Sequence, residues 1–120
     1  MMIDKMIKSR WVKALKEAPL PKNIEGMRDV KTGAMDVLGI LCDVLKDEIG
    51  GSWENESFIY RRKQFIYYPP VTVSLMLGLR AVRIESVTIS YNGGKVPLFR
   101  LNDDTNLTLS QIADLIEDQL

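Results

Sequence analysis

The stretch DVLGILCDVLKD, residues 36–47, decides the fold, because it predicts a helix in the middle of the protein. We place its start between Thr32 and Asp36 and its end near Asp47. Gly39 lowers helix propensity by about 1 kcal/mol relative to alanine, so we expect another element to approach the backbone there. Its apolar residues cover more than half of the helix circumference, which indicates burial on most sides: Val37, Leu38, Ile40, Leu41, Val44 and Leu45.

Two further helices are predicted near the ends of the chain. The first begins after Asp4, a suitable N-cap, and stops before Pro19, because proline lacks the amide hydrogen that a helix needs. The last begins after Thr108, whose spacing to Gln111 is that of a capping box. Apolar residues recur at helical spacing in both segments: Ile7, Trp11, Ala14, Leu15 and Ala18 in the first, and Leu109, Ile112, Ala113, Leu115 and Ile116 in the last.

The residues between these helices predict short strands, turns and one short helix. Residues 22–34 read as a loop, residues 52–70 as a hairpin or two short strands, and residues 71–79 as a short helix closed by Gly78. Asn92 and Gly93 predict a turn between two strands, with a bulge or break upstream near Glu85 and Ser86.

These elements together predict a single α+β domain over residues 1–120, with about four helices and a small antiparallel sheet or hairpins. A chain of this length buries roughly two thirds of the surface that it exposes when unfolded. The predicted core includes Trp11, Leu38, Leu41, Leu75, Leu101, Ile112 and Ile116.

Composition excludes several classes of function. The chain has no histidine, so the common zinc sites and the catalytic triads that need histidine cannot form. Its single Cys42 cannot make an internal disulfide, and among aliphatic residues it reads as a small core residue. Sixteen basic residues balance sixteen acidic ones, so the global charge of a nucleic-acid binder is absent, although local patches are compatible with this balance.

Hydropathy predicts a cytoplasmic protein that has no membrane segment. The longest apolar run, residues 37–42, is far shorter than the ~20 residues that a membrane span needs. Charged residues also occupy the place where a signal peptide has its apolar region.

The most site-like polar cluster is Asn102, Asp103 and Asp104, which lies between the last predicted strand and the last helix. Such side chains commonly bond neighbouring amides and fix a turn, and we favour this interpretation. The alternative is a magnesium site, because oxygen ligands suit Mg²⁺, but nothing else in the sequence completes an oxygen cage. The sequence therefore predicts no resident cofactor or metal.

A second candidate site lies in the central hairpin, where tyrosines alternate with a basic triplet. Tyr60 and Tyr67 could stack bases while Arg61, Arg62 and Lys63 hold phosphates. The same residues could equally form a hairpin tip with ordinary solubilising charges.

Short motifs along nearly the whole chain carry a resemblance to a family. They are W-V-K-A-L at 11–15, L-G-I-L-C-D at 38–43, G-G-x-W at 50–53, P-P-V at 69–71, L-G-L at 77–79, and L-N-D with I-A-D-L-I within 101–116. The chain resembles a family of small uncharacterised proteins from bacteriophages, prophages and bacterial genomes, for which the resemblance implies an origin and no mechanism. Asp36 and Val37 stand where that family often has paired cysteines, so a cysteine-based function would be lost here.

Small size, missing catalytic constellations and this resemblance lead to one main expectation. It is a non-enzymatic, phage-encoded accessory or interaction protein with an unknown protein partner from the host or the phage. The first alternative is nucleic-acid binding through the Arg61, Arg62 and Lys63 hairpin, and the second is a magnesium-dependent enzyme around Asn102 and Asp103.

Overall fold

A computed structural model describes residues 3–120, and these residues form an α+β fold, as the sequence predicts. These residues contain five α-helices, one 3-10 helix and two small antiparallel sheets. The helices are α1 (Lys5–Glu17), α2 (Val37–Ile49), α3 (Val71–Met76), α4 (Leu98–Asp103) and α5 (Leu109–Gln119), with the 3-10 helix at Ile84–Ser86. The strands are β1 (Ser52–Glu54), β2 (Ser57–Tyr60), β3 (Lys63–Phe65), β4 (Thr88–Tyr91) and β5 (Gly94–Pro97).

Helix α2 lies at the centre and begins with a side-chain cap. The Asp36 carboxyl group accepts a hydrogen bond from the Gly39 amide at 2.6 Å, which satisfies one free donor of the first turn. The close approach predicted at Gly39 is confirmed, because a Cβ atom at this position would collide with the main-chain carbonyl of Met27. Cys42 is fully buried in the same helix, and its thiol contacts the Met27 sulfur at 3.9 Å.

Helix α1 packs against α2 and α5 through one apolar face. Asp4 caps α1 by accepting from the Ile7 amide at 2.9 Å, and the helix ends two residues before Pro19. The Trp11 indole is fully buried, and its Nε1 donates to the main-chain oxygen of Val37 at 2.9 Å. The predicted capping box of Thr108 and Gln111 is also confirmed at the start of α5.

The predicted hairpins form two separate sheets. In the first, β2 lies between β1 and β3, and all pairs are antiparallel. In the second, β4 and β5 are joined by the turn at Asn92 and Gly93. The break expected near Glu85 and Ser86 is the 3-10 helix, so the chain becomes extended as a strand only from Thr88 onward.

Residues 3–120 contain five α-helices, in keeping with the expected number of about four. Leu98–Asp103 forms the short helix α4 where the sequence indicated the end of a strand followed by a turn, and this local prediction is corrected. Leu98 and Leu101 are fully buried, and their burial holds this six-residue helix in place. Leu75 was expected in the core, yet it is 54% exposed, because α3 turns Val73 and Leu77 toward the interior instead.

Among residues 3–120, no helix has the length and apolar character that a membrane crossing requires.

Candidate functional site

Asn102 is fully buried in the last turn of α4, and all of its polar atoms have partners. Its Oδ1 accepts from the Val37 amide at 3.1 Å, and its Nδ2 donates to the Asn23 carbonyl at 2.9 Å and to the Asp103 carboxylate at 2.7 Å. One side chain therefore joins the loop before α2, the first turn of α2 and helix α4. The residues that it joins lie 65 and 79 positions away in the sequence.

Asp36, the cap of α2, is buried beside this cluster. Burial disfavours the charged form and raises the pKa of Asp36 to about 8, and the nearby Asp103 carboxylate pushes the pKa in the same direction. Hydrogen bonds from the Gly39 and Leu38 amides act against this rise without cancelling it. Asp36 is therefore an acid that stays protonated in the folded protein well above the usual range of a carboxyl group.

Lys22 completes the cluster on its outer side. Its Nζ donates to the main-chain oxygen of Thr105 at 2.8 Å. Partial burial lowers the pKa of Lys22, while attraction to Asp103 partly offsets this effect. This contact ties the segment after α1 to the segment before α5.

These contacts differ from the local turn chemistry that the sequence indicated. Asn102 bonds to distant main-chain groups, whereas Asp103 accepts from Asn102 and, at 3.4 Å, from the Glu25 amide. Asp104 is exposed and forms the C-cap of α4. Within residues 3–120, no three His, Cys, Asp or Glu side chains are grouped so that they could hold a metal ion.

The basic triplet of the second candidate site lies at a tight turn. Tyr60 of β2 pairs with Lys63 of β3, so Arg61 and Arg62 alone form the two-residue loop. Their φ angles are 50° and 64°, both in the left-handed region, which defines a type I′ turn. Such turns strongly favour Asn-Gly, and the other hairpin uses that pair, Asn92 and Gly93. Arginine at both positions costs backbone energy that an Asn-Gly pair would avoid.

Tyr60 and Tyr67, both predicted to contact nucleic acid, have different surroundings. Tyr60 is buried, its hydroxyl accepts from the Thr72 hydroxyl at 3.0 Å, and the Arg61 guanidinium lies 5.3 Å from its ring centre. Tyr67 is 61% exposed, and its neighbour Tyr68 is 42% exposed. The Thr72 contact holds the hairpin tip beside α3, which begins after Pro69 and Pro70, the two residues that follow these exposed tyrosines.

Tyr68 is connected to a further basic residue, Arg100, through the ring of Phe99. Its ring packs edge-on against Phe99 with the ring centres 5.8 Å apart, and the Arg100 guanidinium lies 5.9 Å from the centre of the Phe99 ring. The hairpin tip, the exposed tyrosines and the first residues of α4 thus form one connected region. We call it the basic aromatic surface, made of Arg61, Arg62, Lys63, Tyr67, Tyr68 and Arg100.

Although the whole chain has no net charge, its positive and negative residues are unevenly distributed along the sequence. Residues 57–102 contain seven basic residues and one acidic residue, a net charge of +6, while the remaining residues contain nine basic and fifteen acidic residues, a net charge of −6. The single acidic residue of that segment, Glu85, is buried, whereas its seven basic residues are all exposed. The three ion pairs among residues 3–120 take their cations from α1 and α2, so none of the seven basic residues is paired.

Two shallow apolar cavities lie elsewhere and share Pro19 and Leu20 in their walls. Their volumes are about 300 Å³ and 500 Å³. Asp43, which lines the smaller one, already accepts from the Trp53 indole at 3.1 Å and from the Lys46 ammonium at 2.8 Å. The residues that line this cavity include two acids, Glu17 and Asp43, and no base, so an acid and a base do not face each other across it.

Sequence reasoning missed Arg100 and Phe99 as parts of a surface, and Lys22 and Asn23 as partners of the buried cluster. The separation of charge was the available signal, because counting the charges of residues 57–102 apart from the rest reveals it. The partners of Asn102 had no such signal, since they are joined only by the folded chain.

Comparison with curated proteins and with solved structures gave no significant match. Residues 3–120 match the model of a protein family described as a domain of unknown function, DUF8296. Because this match covers nearly the whole chain, the protein belongs to the DUF8296 family.

Proposed function

We propose that this protein is a non-enzymatic accessory protein that binds nucleic acid through its basic aromatic surface. The observation that carries the proposal is the net charge of +6 on residues 57–102, with every cation of that segment exposed and none in an ion pair within the described part of the chain. Unpaired cations on one part of a neutral chain favour an anionic partner, and a phosphate backbone is a repeating anion. The family resemblance supports an origin in a bacteriophage or prophage, with action inside the bacterial host.

A binding role is supported over catalysis by how the polar groups are used. The Asn102 side chain is fully buried, its Nδ2 donates to Asn23 and Asp103, and its Oδ1 accepts from Val37, so the side chain is engaged within the fold and does not face a substrate. We therefore interpret the cluster around Asn102 as a structural device and not as the centre of a magnesium-dependent enzyme.

The hairpin tip supports the same proposal. Arginine at both positive-φ positions of a type I′ turn has an energetic cost, which points to a benefit outside folding. Guanidinium groups suit such a role, because they bind phosphate oxygens through two parallel hydrogen bonds. Arg61 and Arg62 are thus the residues that we expect to contact the backbone of the nucleic acid most strongly.

A double substitution tests this proposal without harming the fold. Arg61→Asn with Arg62→Gly removes both charges and installs the pair that the turn prefers. The control is Lys5→Ala with Lys13→Ala, which removes two exposed lysines of α1 that make no ion pair within residues 3–120. We expect fluorescence anisotropy with labelled oligonucleotides at low salt to give at least roughly tenfold weaker binding for the hairpin variant and little change for the control.

Salt dependence provides a second readout of the same experiment. The logarithm of the association constant should fall linearly with the logarithm of salt concentration, by about 0.7–0.9 per phosphate contact. Loss of two contacts should therefore reduce the slope by roughly 1.4–1.8. If no oligonucleotide binds at low salt, or if the two variants bind alike, nucleic-acid binding by this surface is wrong.

The second candidate function is docking of a protein partner, as first expected from the sequence. It is favoured by Val71 and Leu75, which lie one turn apart on α3 and are both about half exposed. Val71→Ala with Leu75→Ala removes this ridge and raises helix propensity at Val71, so α3 should persist. A phage or host protein that is captured by the wild type, lost by this variant and retained by the hairpin variant would support this function instead.

A further inference from the structure

We infer that the nucleic acid bound by this protein is single-stranded, and that Tyr67 and Tyr68 stack its bases. The inference rests on the proposed function and adds the class of ligand. It starts from the two tyrosines, which are consecutive and expose 61% and 42% of their surface. Tyrosine rings that fill a protein core are mostly buried, so the exposure of these two adjacent rings indicates a role at the surface.

The ring of Tyr68 is held in place without being covered. Phe99 supports it edge-on at an angle of 69°, and Arg100 lies over Phe99 in turn. Pro69 follows Tyr68 directly and restricts the backbone of Tyr68 to extended conformations. A ring that is already fixed loses little conformational freedom on binding, which favours its use as a stacking platform.

Two sets of contacts link cations to this platform. The Thr72 hydroxyl, near the start of α3, donates to Tyr60, and the Arg61 guanidinium lies over the ring of Tyr60. Tyr68 packs against Phe99, over which the Arg100 guanidinium lies. Exposed rings combined with cations are the components of a single-strand site, in which bases stack while the backbone follows positive charge.

A double helix does not fit the same surface. The bases of a duplex are stacked on each other, so their faces cannot reach the exposed tyrosines without unpairing. The helices of this region, α3 and α4, have six residues each, and Arg100 is the only basic residue in either of them. Neither offers the basic face along which a helix usually enters the major groove.

The test compares labelled single-stranded and duplex oligonucleotides of equal length at low salt, using the full chain. We expect tighter binding of the single strand. Tyr67→Ala and Tyr67→Leu should both weaken single-strand binding by roughly 5- to 100-fold, whereas Tyr67→Phe should retain it within about twofold, because stacking needs the ring and not the hydroxyl. Met6→Ala is the control, because Met6 is a highly exposed apolar residue on α1. Circular dichroism confirms that each variant is folded.

The other outcomes overturn either the stacking of bases on the tyrosines alone or nucleic-acid binding altogether. Duplex binding as tight as single-strand binding, or unchanged binding by Tyr67→Ala, overturns the stacking inference. The proposed function survives that result if Arg61→Asn with Arg62→Gly still weakens binding at least roughly tenfold. No binding of either oligonucleotide overturns both.

Discussion

Single buried polar residues decide how the segments of this protein are joined. Asn102 is the clearest example, because its amide connects helix α4 to the start of α2 and to the loop before it. A buried donor or acceptor that loses its partner carries a full desolvation penalty, which is larger than the net gain from the hydrogen bond itself. Asn102 therefore contributes more to stability than its small side chain suggests.

Asn102→Ala should be strongly destabilising. The substitution leaves the Val37 amide and the Asn23 carbonyl without their partner, and each unsatisfied group costs about 1–3 kcal/mol. We expect a loss of roughly 2–5 kcal/mol in the free energy of unfolding, measured by urea denaturation. Asp104→Ala, an exposed neighbour, should change it by less than about 0.5 kcal/mol. Similar stability of the two variants would show that the cluster is not structural.

Asp36 predicts an unusual dependence of stability on pH. Its folded pKa is raised to about 8 by burial, so between its ordinary value of 3.8 and pH 8 the folded state binds more protons than the unfolded state. The contribution of this group is therefore fully present at low pH and is lost as pH rises through that window. We expect the wild type to be less stable at pH 8.5 than at pH 5.

Asp36→Asn isolates this effect, because asparagine is an equally good N-cap and does not titrate. The variant should lose much of the difference in stability between pH 5 and pH 8.5, and should exceed the wild type at the higher pH. Asp29→Asn is the control, since hydrogen bonds from Thr32 lower the pKa of Asp29 and place its titration below this window. If Asp36→Asn shows the same pH dependence as the wild type, Asp36 is ionised in the fold.

At the scale of elements, Gly39 and the two hairpin turns show how packing and the conformational preference of a residue can disagree. Gly39 lies inside α2, where glycine is normally unfavourable, because Met27 passes too close for any side chain. The two hairpin turns differ in how well their residues suit the backbone conformation. Asn92 and Gly93 readily adopt the positive φ angles of a type I′ turn, whereas Arg61 and Arg62 adopt positive φ angles that arginine disfavours.

Gly39→Ala should destabilise the protein although alanine is the better helix former. The added Cβ would meet a main-chain carbonyl, which cannot rotate away, so we expect overpacking to cost more than the gain of up to 1 kcal/mol in propensity. The net loss should be about 1–3 kcal/mol by thermal or urea denaturation. Gly94→Ala is the matched control, because a Cβ there meets open space. A variant at Gly39 that melts at or above the wild-type temperature would contradict the close packing of Met27 on α2.

Exchange of the turn residues should move stability in opposite directions at the two hairpins. Arg61→Asn with Arg62→Gly should raise the free energy of unfolding by roughly 1 kcal/mol, because it relieves two strained residues at the loss of one cation–π contact. Asn92→Arg with Gly93→Arg should lower it by a similar amount, because it creates the same strain. If both exchanges leave the melting temperature unchanged, the arginine turn has no energetic cost.

At the scale of the whole molecule, the sequence predicts what depends on local patterns. Asp4, Asp36 and Thr108 mark helix starts because a cap acts on amides two or three residues away. The α+β class followed from such signals together with the Asn92 and Gly93 turn. Local chemistry therefore suffices for the order of most elements.

Features that depend on distant contacts could not be predicted in the same way. Helix α3 has only six residues, too few for apolar spacing to reveal that Leu75 faces outward. Helix α4 is equally short and is held by the burial of Leu98 and Leu101. The partners of Asn102 lie far away in the sequence, and the link from Tyr68 through Phe99 to Arg100 exists only in the folded state.

The separation of charge is the property of the whole molecule that links its structure to a function. It places the exposed, unpaired cations of residues 57–102 on the part of the chain that also exposes Tyr67 and Tyr68. Arg10, Lys16 and Lys46 of α1 and α2 form ion pairs, whereas Lys5, Lys8 and Lys13 of α1 form none among residues 3–120. Because α1 exposes no aromatic ring beside its lysines, an anionic strand with stacking bases should bind at the basic aromatic surface in preference to α1.

The most direct measurement is a titration of ¹⁵N-labelled protein with a single-stranded oligonucleotide at low salt, followed for each backbone amide. We expect the largest chemical-shift changes within residues 60–72 and near Arg100, with small changes along α1. Changes centred on α1, or none at any residue, would contradict nucleic-acid binding by the basic aromatic surface.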